Sequence, residues 1–271
     1  MANPRIYGSP PYTLAVVHGG PGAAGSVAPV ARELGAAWGV LEPLQTEASL
    51  DGQVAELRAL LLAHARLPVT LVGSSWGAML SLILAARHPE LVARLILVGS
   101  GVYDARYAQG IEQTRLERLS EAERREIDAL LISLNGPAGA GRDGVLRRLG
   151  AIFARADSYD PLPHDDELLE VRFDVFQQVW GEAEALRASG ELLELARQVR
   201  CPVLAIHGSY DPHPAEGVRA PLAAAIADFR FVLLEECGHE PWYERRARAR
   251  FFAILQDELR EARRAAGETS L

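Results

Sequence analysis

Lysine is missing from this 271-residue chain: all 28 basic residues are arginine. That absence excludes a lysine Schiff base, a lysine general base and a phosphate-binding loop of the Gly-Lys-Ser/Thr type. Positive charge is in deficit, with a net charge of -8 at pH 7, which disfavours nucleic acid and anionic membranes as partners. Cysteine is scarce, with only Cys201 and Cys237. The strand pattern below places them at opposite ends of a sheet, about 20 Å apart at ~3.3 Å per residue. A disulfide needs Cα atoms within about 7 Å, so both are expected as free thiols. Long apolar runs are also lacking. Stretches such as LVARLILVG are too short to cross a bilayer. The opening MANPRIYGSPPYTL has no charged region followed by an apolar run, so no secretory signal is expected and the chain is placed in the cytoplasm. Finally, the histidines form no ligand-spaced cluster. HEPWY at 239 begins like the zinc motif HExxH but has Tyr243 where the second histidine belongs, so no metal and no cofactor are expected.

What is present is an alternation. YTLAVVHG (12–19), GVLEPLQ (39–45), VTLVGS (69–74) and ARLILVGSG (93–101) are short apolar runs that read as buried strands. Helical spacing fills 27–37, 51–66 and 76–89 between them. This rhythm predicts an α/β fold, a mostly parallel central sheet with helices on both faces. From 103 to 198 no strand is evident and helical spacing dominates, with Ser120 and Glu123 fitting a capping box. The αβ rhythm resumes with PVLAIHG (202–208), PLAAAIA (221–227), FRFVLLEE (229–236) and a last helix from about 242 to 264. The expected division is a core of 1–102 and 199–271 carrying a helical cap at 103–198. The last helix is arginine-rich and amphipathic, and its polar side is expected to face solvent.

LVGSSWGAML (71–80) raises the chemical question, because two serines stand between two glycines. A buried strand entering G-x-S-x-G and then a helix is the pattern of a nucleophile elbow. The central residue occupies a sharp turn, so its neighbours must be small. Gly73 and Gly77 frame Ser75 and not Ser74, which makes Ser75 the candidate nucleophile. The N–H of Trp76 then opens the helix and faces a developing oxyanion. HGGPG (18–22), at the end of an earlier strand, is suited to supply a second N–H, assigned to Gly20. Asp211 lies in a tight loop after a late strand, and His239 follows the last strand. The chain order Ser, Asp, His, with each residue just past a strand, is that of a hydrolase triad.

On these residues the chain resembles the α/β-hydrolase superfamily over nearly its whole length. HGGPG followed by G-x-S-W-G is similar to the proline iminopeptidase branch. The resemblance implies an HGGPG oxyanion loop, and a cap in which carboxylates bind the free amine of an N-terminal proline. QVWGEAEAL offers Trp180, Glu182 and Glu184 for that cap, with Trp180 and Glu182 as the expected substrate-binding pair. Phe176 and Tyr103 are further lining candidates. The stretch EPLQTEASLDGQ departs from the branch, lacking its arginine- and glycine-rich segment. The expected activity is acyl transfer to water on a small ester or on an amide or peptide, the two remaining open. The expected partner is a small-molecule or short-peptide substrate. One rival shares the oxyanion loop: Gly20, Gly22 and Gly25 match GxGxxG, and Glu42 ends the next strand as a ribose-binding acid would. That dinucleotide reading leaves Ser75, Asp211 and His239 without roles.

Overall fold

The computed structural model describes residues 2–136, 141–165 and 167–265. In chain order the elements are β1 (Arg5–Tyr7), β2 (Tyr12–Val17), β3 (Ala23–Ala24), α1 (Ala28–Gly35), β4 (Gly39–Glu42), α2 (Leu50–His64), β5 (Val69–Ser74), α3 (Trp76–Arg87) and β6 (Val92–Val98). Then come α4 (Ile111–Glu117), α5 (Glu121–Asn135), α6 (Arg142–Ala156), β7 (Glu170–Val171), α7 (Phe173–Ala188) and α8 (Glu191–Ala196). The chain closes with β8 (Val203–Gly208), α9 (Glu216–Ala225), β9 (Phe229–Leu234) and α10 (Arg248–Ala265).

Seven strands form one sheet in the order β1-β4-β2-β5-β6-β8-β9. All its pairings are parallel except β1 with β4. The inner strands are mostly apolar because both faces are covered. Successive side chains point to opposite faces. Ala15 and Val17 of β2 therefore join the cluster under α2, α3, α8 and α9, while Leu14 and Val16 join the one under α1 and α10. β8 divides the same way, with Val203 and Ala205 on one side and Leu204 and Ile206 on the other.

This order places the site. The chain runs from β2 outward to β4, then back across to β5, so the strand order reverses at β2 and β5. A crevice opens at the carboxyl ends of strands at such a switch point. The HGGPG loop follows β2 and Ser75 follows β5. The two strands are hydrogen-bonded neighbours, with Val17 opposite Gly73.

Between β6 and β8 the expected helices are present, and the Ser120–Glu123 capping box is formed. They do not share one interior. α5 and α6 close on a small cluster of their own, with Ile127, Leu149 and Ile152 at its centre. α7 and α8 instead send Val175, Val179, Ala183, Leu192, Leu195 and Ala196 into the main cluster of the sheet.

Four boundaries differ from the sequence reading. The region read as strandless holds β7, which pairs with β3 inside the HGGPG-to-α1 connection; two-residue strands carry no readable period. β4 stops at Glu42, and Gln45 has already turned to bond His18. α9 begins at Glu216 and runs through Pro221, well before the segment read from 221. α10 begins at Arg248 and not near 242, because the preceding turns hold Glu244 inward against backbone N–H groups. Cys201 and Cys237 are free thiols.

Candidate active site

Ser75 stands alone between β5 and α3 with φ 52° and ψ -117°. For a non-glycine residue this is a strained conformation, held because the surroundings over-determine it. The flanking glycines show how. A Cβ on Gly73 would lie 2.3 Å from Gly77 O, and one on Gly77 would lie 2.3 Å from Val17 O. Any side chain at either position would push the helix off the strand. Ser74 ends β5, buried, so of the two serines only Ser75 occupies the elbow. Its N–H is held by Val98 O at 2.9 Å.

The HGGPG loop is fastened from below. Gln45 N donates to His18 Nε2 at 3.0 Å, so the ring proton sits on Nδ1 and is donated to Gly19 O at 2.9 Å. Burial holds the His18 imidazole below its ordinary range, and it is neutral. Gln45 Nε2 also donates to His18 O at 2.7 Å. Gly19 backs directly onto Ser75: a Cβ there would lie 2.8 Å from Ser75 Cβ. Gly20 follows with φ 50°, a left-handed turn that glycine adopts without strain. Among the described residues its N–H has no acceptor. Trp76 is fixed by its indole, which donates to Gln53 Oε1 at 2.8 Å. Its own N–H is the first of a helix and has no intrahelical partner.

Asp211 and His239 meet. His239 Nδ1 donates to Asp211 Oδ2 at 2.7 Å. The carboxylate is fully buried, and burial alone would raise its pKa. The facing His239, together with the hydrogen bond from His213, outweighs this and holds it well below the usual range. Burial likewise opposes a charge on His239, but Asp211 and its hydrogen bond lift the imidazole to about 9. The histidine lies over the strand next to Ser75. Val98, which holds Ser75 N–H, is followed by Gly99, and a Cβ there would meet His239 Nδ1 at 3.3 Å.

Three groups that the motifs did not reveal position this pair. His213 Nδ1 and its backbone N–H both bond Asp211 Oδ1, at 2.8 and 2.9 Å. Glu244, five residues past His239 and buried, accepts from Gly238 N, Tyr159 N and Asp160 N at 2.8–2.9 Å. Asp157 O accepts His239 N–H at 2.9 Å, and the Asp157 carboxylate takes a two-point bond from Arg115 at 2.6 and 2.8 Å. Asp211, His213 and His239 are also the one set of metal-capable side chains among the described residues with mutually close ligand atoms. Both Asp211 oxygens there are already bonded to ring N–H groups.

Residues 12–245 match the family model of the alpha/beta hydrolase fold. The chain belongs to this family. It is 29% identical over 228 residues to a 2-hydroxymuconate semialdehyde hydrolase of Pseudomonas sp. (strain CF600), covering 80% of this chain and 69% of that protein. It is 30% identical over 192 residues to a pimeloyl-[acyl-carrier protein] methyl ester esterase of Chromobacterium violaceum, covering 68% of this chain and 67% of that one. Among solved structures it resembles a proline iminopeptidase of Mycobacterium smegmatis, with a TM-score of 0.63 at 19% identity over 97% of this chain and 95% of the other. That last likeness is one of fold.

In this α/β hydrolase the residues expected to bind substrate are placed unevenly. Phe176 and Trp180, one turn apart on α7, stack with ring centres 6.3 Å apart. Glu182 Oε2 accepts the N–H of Leu50 at 2.6 Å and so caps the start of α2. Glu184 is exposed and pairs with Arg187 one turn on. Tyr103 is wholly buried, its hydroxyl accepting from Ser100 at 3.0 Å. Glu42, the acid of the dinucleotide reading, is buried and held by Arg5 at 2.7 and 2.8 Å and Tyr7 at 2.7 Å. Among the described residues no helix is long and apolar enough to cross a membrane.

Proposed function

We propose that the chain is a serine hydrolase of small carboxylic esters. Ser75 attacks the acyl carbon while its proton passes to His239 Nε2. Asp211 keeps His239 in the tautomer that leaves Nε2 free to accept. The N–H groups of Trp76 and Gly20 receive the charge on the tetrahedral oxygen. His239 then protonates the leaving alkoxide, and water hydrolyses the acyl-enzyme by the same path. The helices of 103–198 roof the crevice, with Trp180 and Phe176 facing the acyl group.

The observation that carries this reading is a pairing. A serine is held at a strained elbow, and over the end of the neighbouring strand sits a histidine whose Nδ1 is tied to a buried carboxylate. Strained residues held in place by their surroundings cluster at catalytic sites. The preference for esters rests on the carboxylates. Glu182 and Glu184, which an aminopeptidase would turn toward a substrate amine, are engaged with Leu50 and Arg187. One of the relatives is itself named an esterase. The HGGPG loop favours a second reading, an iminopeptidase.

The test compares kcat/KM on p-nitrophenyl butyrate and proline p-nitroanilide, with Ser75→Ala as the blank. The expected result is ester turnover that falls by at least about 10⁴-fold in the variant. Anilide turnover without ester turnover would replace the esterase reading with the aminopeptidase. Ester turnover undiminished in Ser75→Ala would remove Ser75 as nucleophile.

A further inference from the structure

The carboxylate of Asp211 serves two imidazoles. His239 holds Oδ2 at 2.7 Å; His213 holds Oδ1 twice, through its ring at 2.8 Å and its backbone at 2.9 Å. A third ring, His207 at the end of β8, donates to His213 O at 2.8 Å and so fixes the backbone that carries the second. His213 is 8% exposed, and its ring lies 4.9 Å from that of His239, tilted by 33°.

We propose that His213 is a positioning residue of the relay: its neutral ring holds Asp211 by Oδ1, aims Oδ2 at His239 and shares the charge on which His239 depends. The inference rests on the serine-hydrolase reading for its kinetic test, though the geometry of the two rings stands without it.

The physical argument concerns how one charge is divided. A buried carboxylate is costly unless its oxygens are hydrogen-bonded. With two donors on Oδ1, less charge is left to stabilise a proton on His239. Without the ring donor, Asp211 leans harder on His239 and holds its proton to higher pH. A triad base must be unprotonated to accept from serine, so His213 tunes the pH at which the relay engages. The groups facing the pair come from several elements: His207 and Asp211 from β8 and its loop, Arg115 from α4, Asp157 after α6, and Glu240 beside His239. Burial holds His213 below its ordinary range, consistent with a neutral donor.

The obvious alternative is a merely structural histidine. Asparagine distinguishes them, because its side-chain amide nitrogen occupies the place of the imidazole Nδ1. Leucine keeps the bulk and loses the donor. The rate at which a fluorophosphonate labels Ser75 is measured against pH in wild type, His213→Asn and His213→Leu. This probe needs no knowledge of the natural substrate. In His213→Leu the acidic limb is expected to move up by about half a unit to one unit, so labelling at pH 7 falls about threefold to tenfold and converges with wild type in alkali. His213→Asn is expected to restore the wild-type limb. An unmoved limb in His213→Leu, or an equal loss at every pH in both variants, overturns the proposal. If Ser75 does not label in wild type, the serine-hydrolase reading fails separately. The His239 imidazole is then titrated by NMR: a higher midpoint in His213→Leu than in wild type supports the proposal, and an unchanged one overturns it.

Discussion

The loops bearing Ser75 and Asp211 hang from β5 and β8, buried on both faces, and the loop bearing His239 from the half-buried edge strand β9, whereas α5 and α6 close with Leu119 and Phe173 on a separate cluster of seven buried residues. The first region is over-determined. A side chain at Gly73 would meet Gly77 O, and displacing His239 would break its bonds to Asp211 and Asp157. The second region has an interior of its own, separate from the clusters on the two faces of the sheet. A seam joins the two. Residues 157–162, leaving α6, are bonded to the loop 236–246 through Glu244, through His239 N–H and through Arg245 N–H on Asp160 O. The helical insertion therefore helps to set the position of the candidate base while its outer helices remain independent.

The largest effect that would sharpen this contrast belongs to the sheet edge and is one of pH. Lifted to about 9 by Asp211, His239 stays protonated through neutrality. Ester kcat/KM should therefore rise about tenfold per unit between pH 6 and 8 and level off only in alkali. The sign for stability is the reverse. A folded-state pKa above the unfolded value stabilises fully below about 6.5, and the contribution is lost as pH rises through the folded value. A pH–rate profile already flat at pH 7 would mean that Asp211 does not hold His239 as strongly as the 2.7 Å contact implies.

Next comes the seam. Arg115→Met keeps the length of the side chain and leaves the nearly buried Asp157 carboxylate without its cation. Breaking a pair so buried costs about 3 kcal/mol. Because Asp157 O also holds His239 N–H, kcat should fall about tenfold. Urea unfolding and ester kinetics measured together test the link. A loss of stability with unchanged kcat would make the seam a support for the insertion alone.

A smaller effect separates the interiors. Leu97→Ala in β6 and Ile127→Ala in α5 both remove buried methyl groups, and each is expected to cost about 2–4 kcal/mol. The first should lower the stability of the whole sheet. The second should open α5 and α6 locally, seen as faster hydrogen exchange in those helices, with ester kcat/KM within about twofold of wild type. Exchange that quickens in β5 and β6 as well would dissolve the distinction between the regions.

What the sequence disclosed follows the same division. Ser75, Asp211 and His239 stood out as candidates because each lies in the loop after a strand, and the glycine spacing at 73 and 77 reports the close approach seen between β5, α3 and Val17 O. The parallel sheet was legible from its apolar runs. The groups that hold Asp211 and His239 in place were not. Arg115 and Asp157 are 42 residues apart, Tyr159 and Glu244 85 apart, and nothing local marks either partner. That one carboxylate could hold the rings of both His213 and His239 depended on a loop geometry the sequence does not encode locally.

Glu182 gives the smallest expected effect and the sharpest test of substrate class. It was singled out by its place after Trp180, a position that the iminopeptidase resemblance assigns to amine binding. Its carboxylate instead accepts Leu50 N–H, 132 residues away, at the positive end of α2. A carboxylate there is worth about 0.5–1 kcal/mol through the helix terminus. Glu182→Gln retains an oxygen acceptor and loses only the charge, so stability should drop by less than about 1 kcal/mol. Ester KM should not move, because an uncharged ester has no cation to lose. If an amine-bearing substrate is turned over and its KM rises tenfold or more in the variant, the carboxylate leaves α2 when substrate binds. The insertion would then read the substrate through charge, and the contrast between a fixed chemical platform and a merely apolar roof would have to be redrawn.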